Sequence, residues 1–286
     1  MGANFQLLSS LRYDAALLQV TDSPLNDGGW NRVKKSPFYM LDFHRDRMLR
    51  AATHWGWDAA VEALSGDAGL QRLEEALAGA IGEEQSAPLR VRVVISEQGA
   101  IEIVTGKVPE TTLSNLYPAK LPAPGEAPTG PSEPDSRQIT TPSKVPAYEV
   151  VVDESGTARS EYTHFKTTKR AMYDVARQRA RIGPTDAKEV LIVYDADGHV
   201  MEGSTTTPYF WRGGRWVTPA VSSQYSLDSG SGGQDGTTRR WILEKGLAFE
   251  DVILASSLVD GEECWLSNGV RGFMFGRIKL HHDPKI

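Results

Sequence analysis

The sequence predicts a mixed α+β protein in two lobes joined by a proline-rich segment. Three observations predict it. Short strand-like runs meet at tight turns, and amphipathic helical stretches sit between them. Residues 118–146, "PAKLPAPGEAPTGPSEPDSRQITTPSKVP", hold eight of the sixteen prolines and show no apolar periodicity. Proline lacks an N–H and fixes φ, so that composition suits an extended linker or surface loop rather than a helix interior or central strand. The expected division is a small α+β domain over 1–117, an interdomain loop over 118–147 and a large domain over 148–286.

Taken in order, "FQLLSSLRYD" looks like a strand, and "MLDFHRDRMLRAATHWGW" places Leu41, Met48, Ala51, Ala52 and Trp55 at helical spacing. "DAGLQRLEEALAGAIG" is a second amphipathic helix, and "APLRVRVVISEQGAIEIVTGKV" is a hairpin about a Glu-Gln-Gly turn. After the proline-rich segment, "YEVVVD" is a strand and 162–183, "YTHFKTTKRAMYDVARQRARIG", reads as a helix. "EVLIVYDADGHVME" turns at Asp-Gly and "TPYFWRGGRWVTPA" at Gly-Gly, pairs that tolerate the positive φ of tight hairpin turns. "DGTTRRWILEKG" is a helix stopped by glycine. "DVILASSLV" and "ECWLSNGVRGFMFGRIKL" then finish in strands.

Forty per cent hydrophobic residues and seven tryptophans in 286 residues provide enough apolar surface for a packed core. The formal net charge of −6 leaves no basic stripe, which argues against nucleic acid as a partner. No apolar run reaches the roughly 20 residues of a membrane span. "MGANFQLLSSLRYD" lacks the basic and long apolar regions of a signal peptide. Gln6 stands where the myristoylation pattern needs Ser or Thr. A single cysteine, Cys264, excludes an internal disulfide and suits a reducing compartment. In "ECWLSN" it reads as a buried structural thiol. The expectation is a soluble, cytoplasmic protein that binds no metal.

Four stretches could carry chemistry. Lys166 follows apolar Phe165 at a junction where desolvation would free its amine for Schiff-base chemistry. Lys169, beside Arg170, suits a solvated face or an anion contact, and ordinary surface charge is the bland alternative for both lysines. Glu202 precedes Gly203-Ser204, where the backbone must bend; it is either a carboxylate facing a protonated heterocycle or only part of a turn. In "SGSGGQDGTTRRW", 229–241, Thr237 and Thr238 open a helix whose free N–H groups could cradle a phosphate. A plain N-cap with flexible glycines fits the same residues. His44 and Arg47 stand one turn apart on the first helix, and Arg47 could supply a phosphate's charged partner.

In this order the stretches resemble the fold-type IV pyridoxal-phosphate enzymes, the class IV aminotransferase family. That family includes branched-chain and D-amino-acid aminotransferases and 4-amino-4-deoxychorismate lyase. Its landmarks are His-x-x-Arg, an interdomain loop, a lysine, "EGS" and Gly-x-Thr-Arg. Here they are His44 and Arg47, the proline-rich segment, Lys166, Glu202-Gly203-Ser204 and Gly236-Thr237-Thr238-Arg239. The resemblance covers most of the chain and thins in the linker and over 56–88. It implies the two-domain fold-type IV architecture, a homodimer, and pyridoxal 5′-phosphate as cofactor. It implies Lys166 as the Schiff-base lysine and catalytic acid/base, Glu202 as partner of the pyridine nitrogen, and Arg47, Thr237 and Thr238 at the phosphate. Thr207 stands where the family usually has asparagine.

"HFKTTKR" followed by "YDVAR", the hairpin "RGGRWVTP" and "SNGVRG" look like the fungal lyases of the family. That implies conversion of 4-amino-4-deoxychorismate to 4-aminobenzoate and pyruvate, a step in making folate precursors. The substrate is a dicarboxylate, for which Arg12, Arg170, Asn268 and Arg271 are the candidate contacts. An aminotransferase acting on branched-chain acids, D-amino acids or amines would need the same cofactor residues. A non-catalytic binding protein on the same fold is the third alternative.

Overall fold

A computed structural model describes residues 3–19, 36–82, 85–128, 141–226 and 232–280. Residues 129–140 of the proline-rich segment and 229–231 of the glycine-rich stretch lie outside them. Strands β1 (Leu7–Tyr13), β2 (Leu89–Ile95) and β3 (Ile101–Lys107) form an antiparallel sheet in that order. Alternation sends Leu7 and Leu11 of β1 to one face. There they pack with Val91, Val93 and Ile95 against helices α1 (Leu41–His54), α2 (Asp58–Leu64) and α3 (Gly66–Ile81). The helical stripe read from the sequence does this work: Leu41, Met48, Ala51 and Ala52 of α1 all lie in this core. Helix α2 was not foreseen; it is short and buries only Ala60 and Leu64.

The second sheet has eight strands, β4 (Tyr148–Val152), β5 (Lys188–Val193), β6 (Val200–Gly203), β7 (Thr207–Arg212), β8 (Arg215–Pro219), β9 (Phe249–Asp251), β10 (Glu263–Asn268) and β11 (Gly272–Ile278). Their spatial order is β6-β5-β4-β11-β10-β7-β8-β9. β4 runs parallel to both β5 and β11, and β9 runs parallel to β8. All the hairpins expected from Asp-Gly, Gly-Gly and Glu-Gln-Gly form. Val150, Leu191, Phe210, Val217 and Leu266 fill one core of this sheet. Each such side chain contributes about 1.5–3 kcal/mol by leaving water.

A third core joins the start of α1 to the second sheet. Tyr39, Met40 and Phe43 meet Trp241, Trp265 and Phe273 there, together with Leu116 of the short helix α4 (Leu113–Leu116), Tyr117 and Leu121. The described start of the proline-rich segment is thus packed rather than free: Leu121 is 5% exposed, and its carbonyl accepts from Trp216 Nε1 at 3.0 Å. Proline removes a donor but leaves the carbonyl acceptors available.

Two stretches depart from the expectation. Residues 162–183 are not one helix. Helix α5 (Glu161–His164) ends at once, residues 165–168 extend, α6 (Ala171–Arg179) follows, and α7 (Thr237–Glu244) comes much later. The extended piece pairs with the start of β1: Leu8 N–H donates to Lys166 O at 3.0 Å, and Thr168 N–H donates to Gln6 O at 2.9 Å. The open edge of β1 offers backbone partners that override local helical preference. "DVILASSLV" is mostly not a strand either. It keeps only the end of β9 before a 3₁₀ turn at Ala255–Ser257, where hydroxyl-bearing Ser257 bonds the Leu254 carbonyl.

Candidate active site

Pairing with β1 places Lys166 between the two sheets. Part of its surface stays open, while atoms crowd its amine. That burial, and then the charges of Arg170, Arg47 and Arg92, hold the ammonium well below the usual lysine range; Glu202 pulls the other way. The amine donates to Gln234 Oε1 at 3.4 Å. A lysine held this way has the uncharged amine that nucleophilic chemistry needs.

Glu202 lies on β6, where strand alternation and the bend after Gly203 turn it inward; it is buried. The Tyr173 hydroxyl of α6 donates to its carboxylate. Burial pushes Glu202 up to about 7, while the Tyr173 bond, the Lys166 charge and the backbone N–H of Gln234 pull it down. Gln234 comes this close because Gly233 lacks a side chain: a Cβ there would lie 2.5 Å from Met201 O. The turn behind Glu202 is fixed by buried Glu189, which accepts from the N–H and hydroxyl groups of Ser204 and Thr205 and from the Thr206 hydroxyl.

At the far end stand Arg47, Thr237 and Thr238. Arg47 donates from one terminal nitrogen to Ser9 Oγ at 2.7 Å, and Ser9 lies 2.8 Å from His44 Nδ1. Arg47 also approaches Nδ1, at 3.5 Å. A guanidinium only donates, so Nδ1 accepts and Nε2 carries the hydrogen toward Thr237 Oγ1 at 3.4 Å. Burial, then Arg47 and Lys166, keeps His44 neutral. The β10–β11 tip closes over this histidine, since a Cβ on Gly269 would meet its ring at 2.6 Å. Thr238 Oγ1 and Ser267 Oγ are 2.8 Å apart. Among the described residues no side chain caps α7, which leaves the N–H groups of its first turn without a side-chain cap. The buried Nε of Arg47 likewise has no hydrogen-bond partner among the described residues. An orphaned cationic donor beside an uncapped helix N-terminus fits a phosphate, and the enclosed amine of Lys166 fits an aldehyde.

Residues 30–277 match the profile of the amino-transferase class IV family. The chain belongs to this family. Its cofactor is pyridoxal 5′-phosphate. Over 138 residues it is 32% identical to a Schizosaccharomyces pombe protein provisionally named aminodeoxychorismate lyase, covering 46% of this chain and 55% of that protein. Over 150 residues it is 31% identical to the aminodeoxychorismate lyase of Saccharomyces cerevisiae, covering 47% of this chain and 38% of that one. The matches thus span about half the length, or less, of these curated relatives. Among solved structures, a provisionally named amino-acid aminotransferase from Mesorhizobium loti superposes with a TM-score of 0.62 at 18% identity, covering 97% and 100% of the two chains. A hypothetical Mycobacterium tuberculosis aminotransferase in its PLP-bound form gives 0.56 at 13% identity, covering 96% and 81%. At these identities the likeness is one of fold.

The class IV site gathers some of the expected substrate residues and not others. Arg170 stands at the N-terminal boundary of α6 beside Lys166, donates to Ser204 O at 2.8 Å and lies over the Tyr173 ring at 4.6 Å. Arg12 is 1% exposed; it pairs with Asp14 at 2.8 Å and bonds the carbonyls of Pro109 and Val270, pinning β1 to the β10–β11 tip. Asn268 Oδ1 accepts the N–H groups of Val270 and Arg271, shaping that tip. Arg271 donates to the Tyr148 hydroxyl at 3.1 Å. Lys169 faces the Tyr162 and Phe5 rings. Cys264 is buried, and burial pushes its thiol up.

Sequence reading missed Ser9, Tyr173, Glu189, Gln234 and Ser267. Tyr173 and Ser267 lie within "YDVAR" and "SNGVRG", yet no motif gives any of the five its role, because each acts through a neighbour distant in the chain. The buried, short side chains of Ser9 and Ser267 on apolar strand faces were the one signal available.

Proposed function

We propose that this chain is a PLP-dependent lyase that converts 4-amino-4-deoxychorismate to 4-aminobenzoate and pyruvate. The observation that carries the reading is the pairing of a class IV site with two curated relatives of over 30% identity that both bear this lyase's name. The cationic surroundings of Lys166 support it, since Arg170, Arg47 and Arg92 all act on that amine and the substrate carries two carboxylates.

Arg47, Thr237, Thr238 and the first turn of α7 would hold the cofactor phosphate, and Lys166 would hold its aldehyde. Bound pyridoxal phosphate supplies an electron sink for bond cleavage, strongest when its ring nitrogen is protonated. Glu202 would keep that nitrogen protonated by presenting a buried carboxylate. Once released, the uncharged Lys166 amine takes the proton from the amine-bearing carbon of the substrate ring. The carbon–oxygen bond to the enolpyruvyl group breaks, and Lys166 returns the proton to the enolpyruvyl methylene carbon, giving pyruvate. The ring becomes aromatic, which drives the step forward. Arg170 orients a substrate carboxylate.

The test is release of 4-aminobenzoate and pyruvate in equal amounts from enzymatically made aminodeoxychorismate. Lys166→Ala should abolish both products, together with the near-visible absorbance of the loaded protein. Stoichiometric pyridoxamine phosphate from an added amino donor, with no 4-aminobenzoate, overturns the lyase in favour of an aminotransferase.

A further inference from the structure

Between Lys166 and Glu202 stand two side chains that the proposed chemistry leaves without a role. Lys166 Nζ donates to Gln234 Oε1 at 3.4 Å. Gln234 Nε2 donates to the Tyr173 hydroxyl at 3.2 Å, and that hydroxyl donates to Glu202 Oε1. Gln234, Tyr173 and Glu202 are all buried. Every link donates in one direction, from amine to acid. A tyrosine has one proton to give. If Glu202 carried a proton on Oε1, the Tyr173 hydroxyl would turn its own proton toward the alternative acceptor, Thr163 O at 3.4 Å, and the line would break at that joint.

We propose that Tyr173 and Gln234 are positioning residues whose hydrogen bonds couple the Lys166 amine to the Glu202 carboxylate, so that a proton gained or lost at one end is felt at the other. The proposal rests on the reading of these two groups as the cofactor-facing pair. Arg170, Arg47, Arg92 and His44 also act on the pair, and stay unchanged in the test.

The test uses Tyr173→Phe, Gln234→Leu and their combination in the full chain freed of cofactor. The pH dependence of Lys166 acylation by acetic anhydride, read by peptide mass spectrometry, gives the pH at which the amine loses its proton. Gln234→Leu removes an acceptor of the charged amine; Tyr173→Phe removes a donor to the ionised acid that supports it. Each single change should lower that pH by about one unit, roughly a tenfold change in proton affinity. The double change should lower it by clearly less than the sum, because either break severs one line. Thermal midpoints report folding; if Tyr173→Phe fails to fold, the same shift is required of Gln234→Leu alone. Unmoved pH midpoints in folded variants, or a double shift equal to the sum, overturn the proposal. Loading with pyridoxal phosphate separates the two levels. A chain that takes up none at Lys166 loses both readings, whereas uptake with unmoved midpoints removes only the coupling.

Discussion

Arg47 has surroundings that suit an anionic ligand. Its buried Nε has no partner among the described residues, and burial lowers the guanidinium to about 10, still charged at neutral pH. A buried donor left unsatisfied costs stability, and a charged hydrogen bond to phosphate repays it at about 1.5–3 kcal/mol. Arg47→Met should therefore weaken cofactor binding by roughly ten- to hundredfold in Kd, while the cofactor-free chain unfolds at the same temperature or higher. Calorimetry of both forms checks this; unchanged affinity would remove Arg47 from the phosphate. Arg47, Lys166, Glu202, Thr237 and Thr238, which the fold brings together, stood out in the sequence because each belongs to a short motif with a local physical meaning. Tyr173 and Gln234 were not, because their roles come from a line of contacts closed by the fold. Arg12 shows the reverse limit: its charge was legible, but not the Asp14 pair and the two carbonyls that engage it.

Among the elements, the break between α5 and α6 matters most. Helical periodicity carried straight through Lys166, yet residues 165–168 extend to pair with β1. A pattern within one segment cannot report an edge strand 160 residues away in sequence. α5 closes with His164, which is buried against Phe165 and Tyr225. Burial lowers His164 to about 4. Its folded pKa is thus below the unfolded value near 6.5, so between these two pH values the unfolded chain binds a proton that the folded chain refuses. Stability from this residue is present above about 6.5 and is lost as pH falls toward 4. His164→Gln should lose less stability between pH 7 and pH 5 than the unaltered protein. Urea midpoints at the two pH values measure it, and equal losses in both proteins would contradict it.

For the whole molecule, the hairpins, the α1 stripe and the order of the motifs were readable because turn chemistry and periodicity are local. The eight-strand order of the second sheet was not, since parallel pairing of β4 with β11 joins segments more than 120 residues apart. Nor was the seating of Leu121 in the core between α1 and the second sheet, which makes the start of the proline-rich segment part of the frame around the site. That frame encloses the Lys166 amine, which is what the proposed bond to an aldehyde requires. Borohydride reduction of the cofactor-loaded protein, followed by peptide mapping, tests this directly. The account predicts one phosphopyridoxyl group per chain, carried on Lys166. A label on Lys169 or any other lysine, or no label at all, would contradict it.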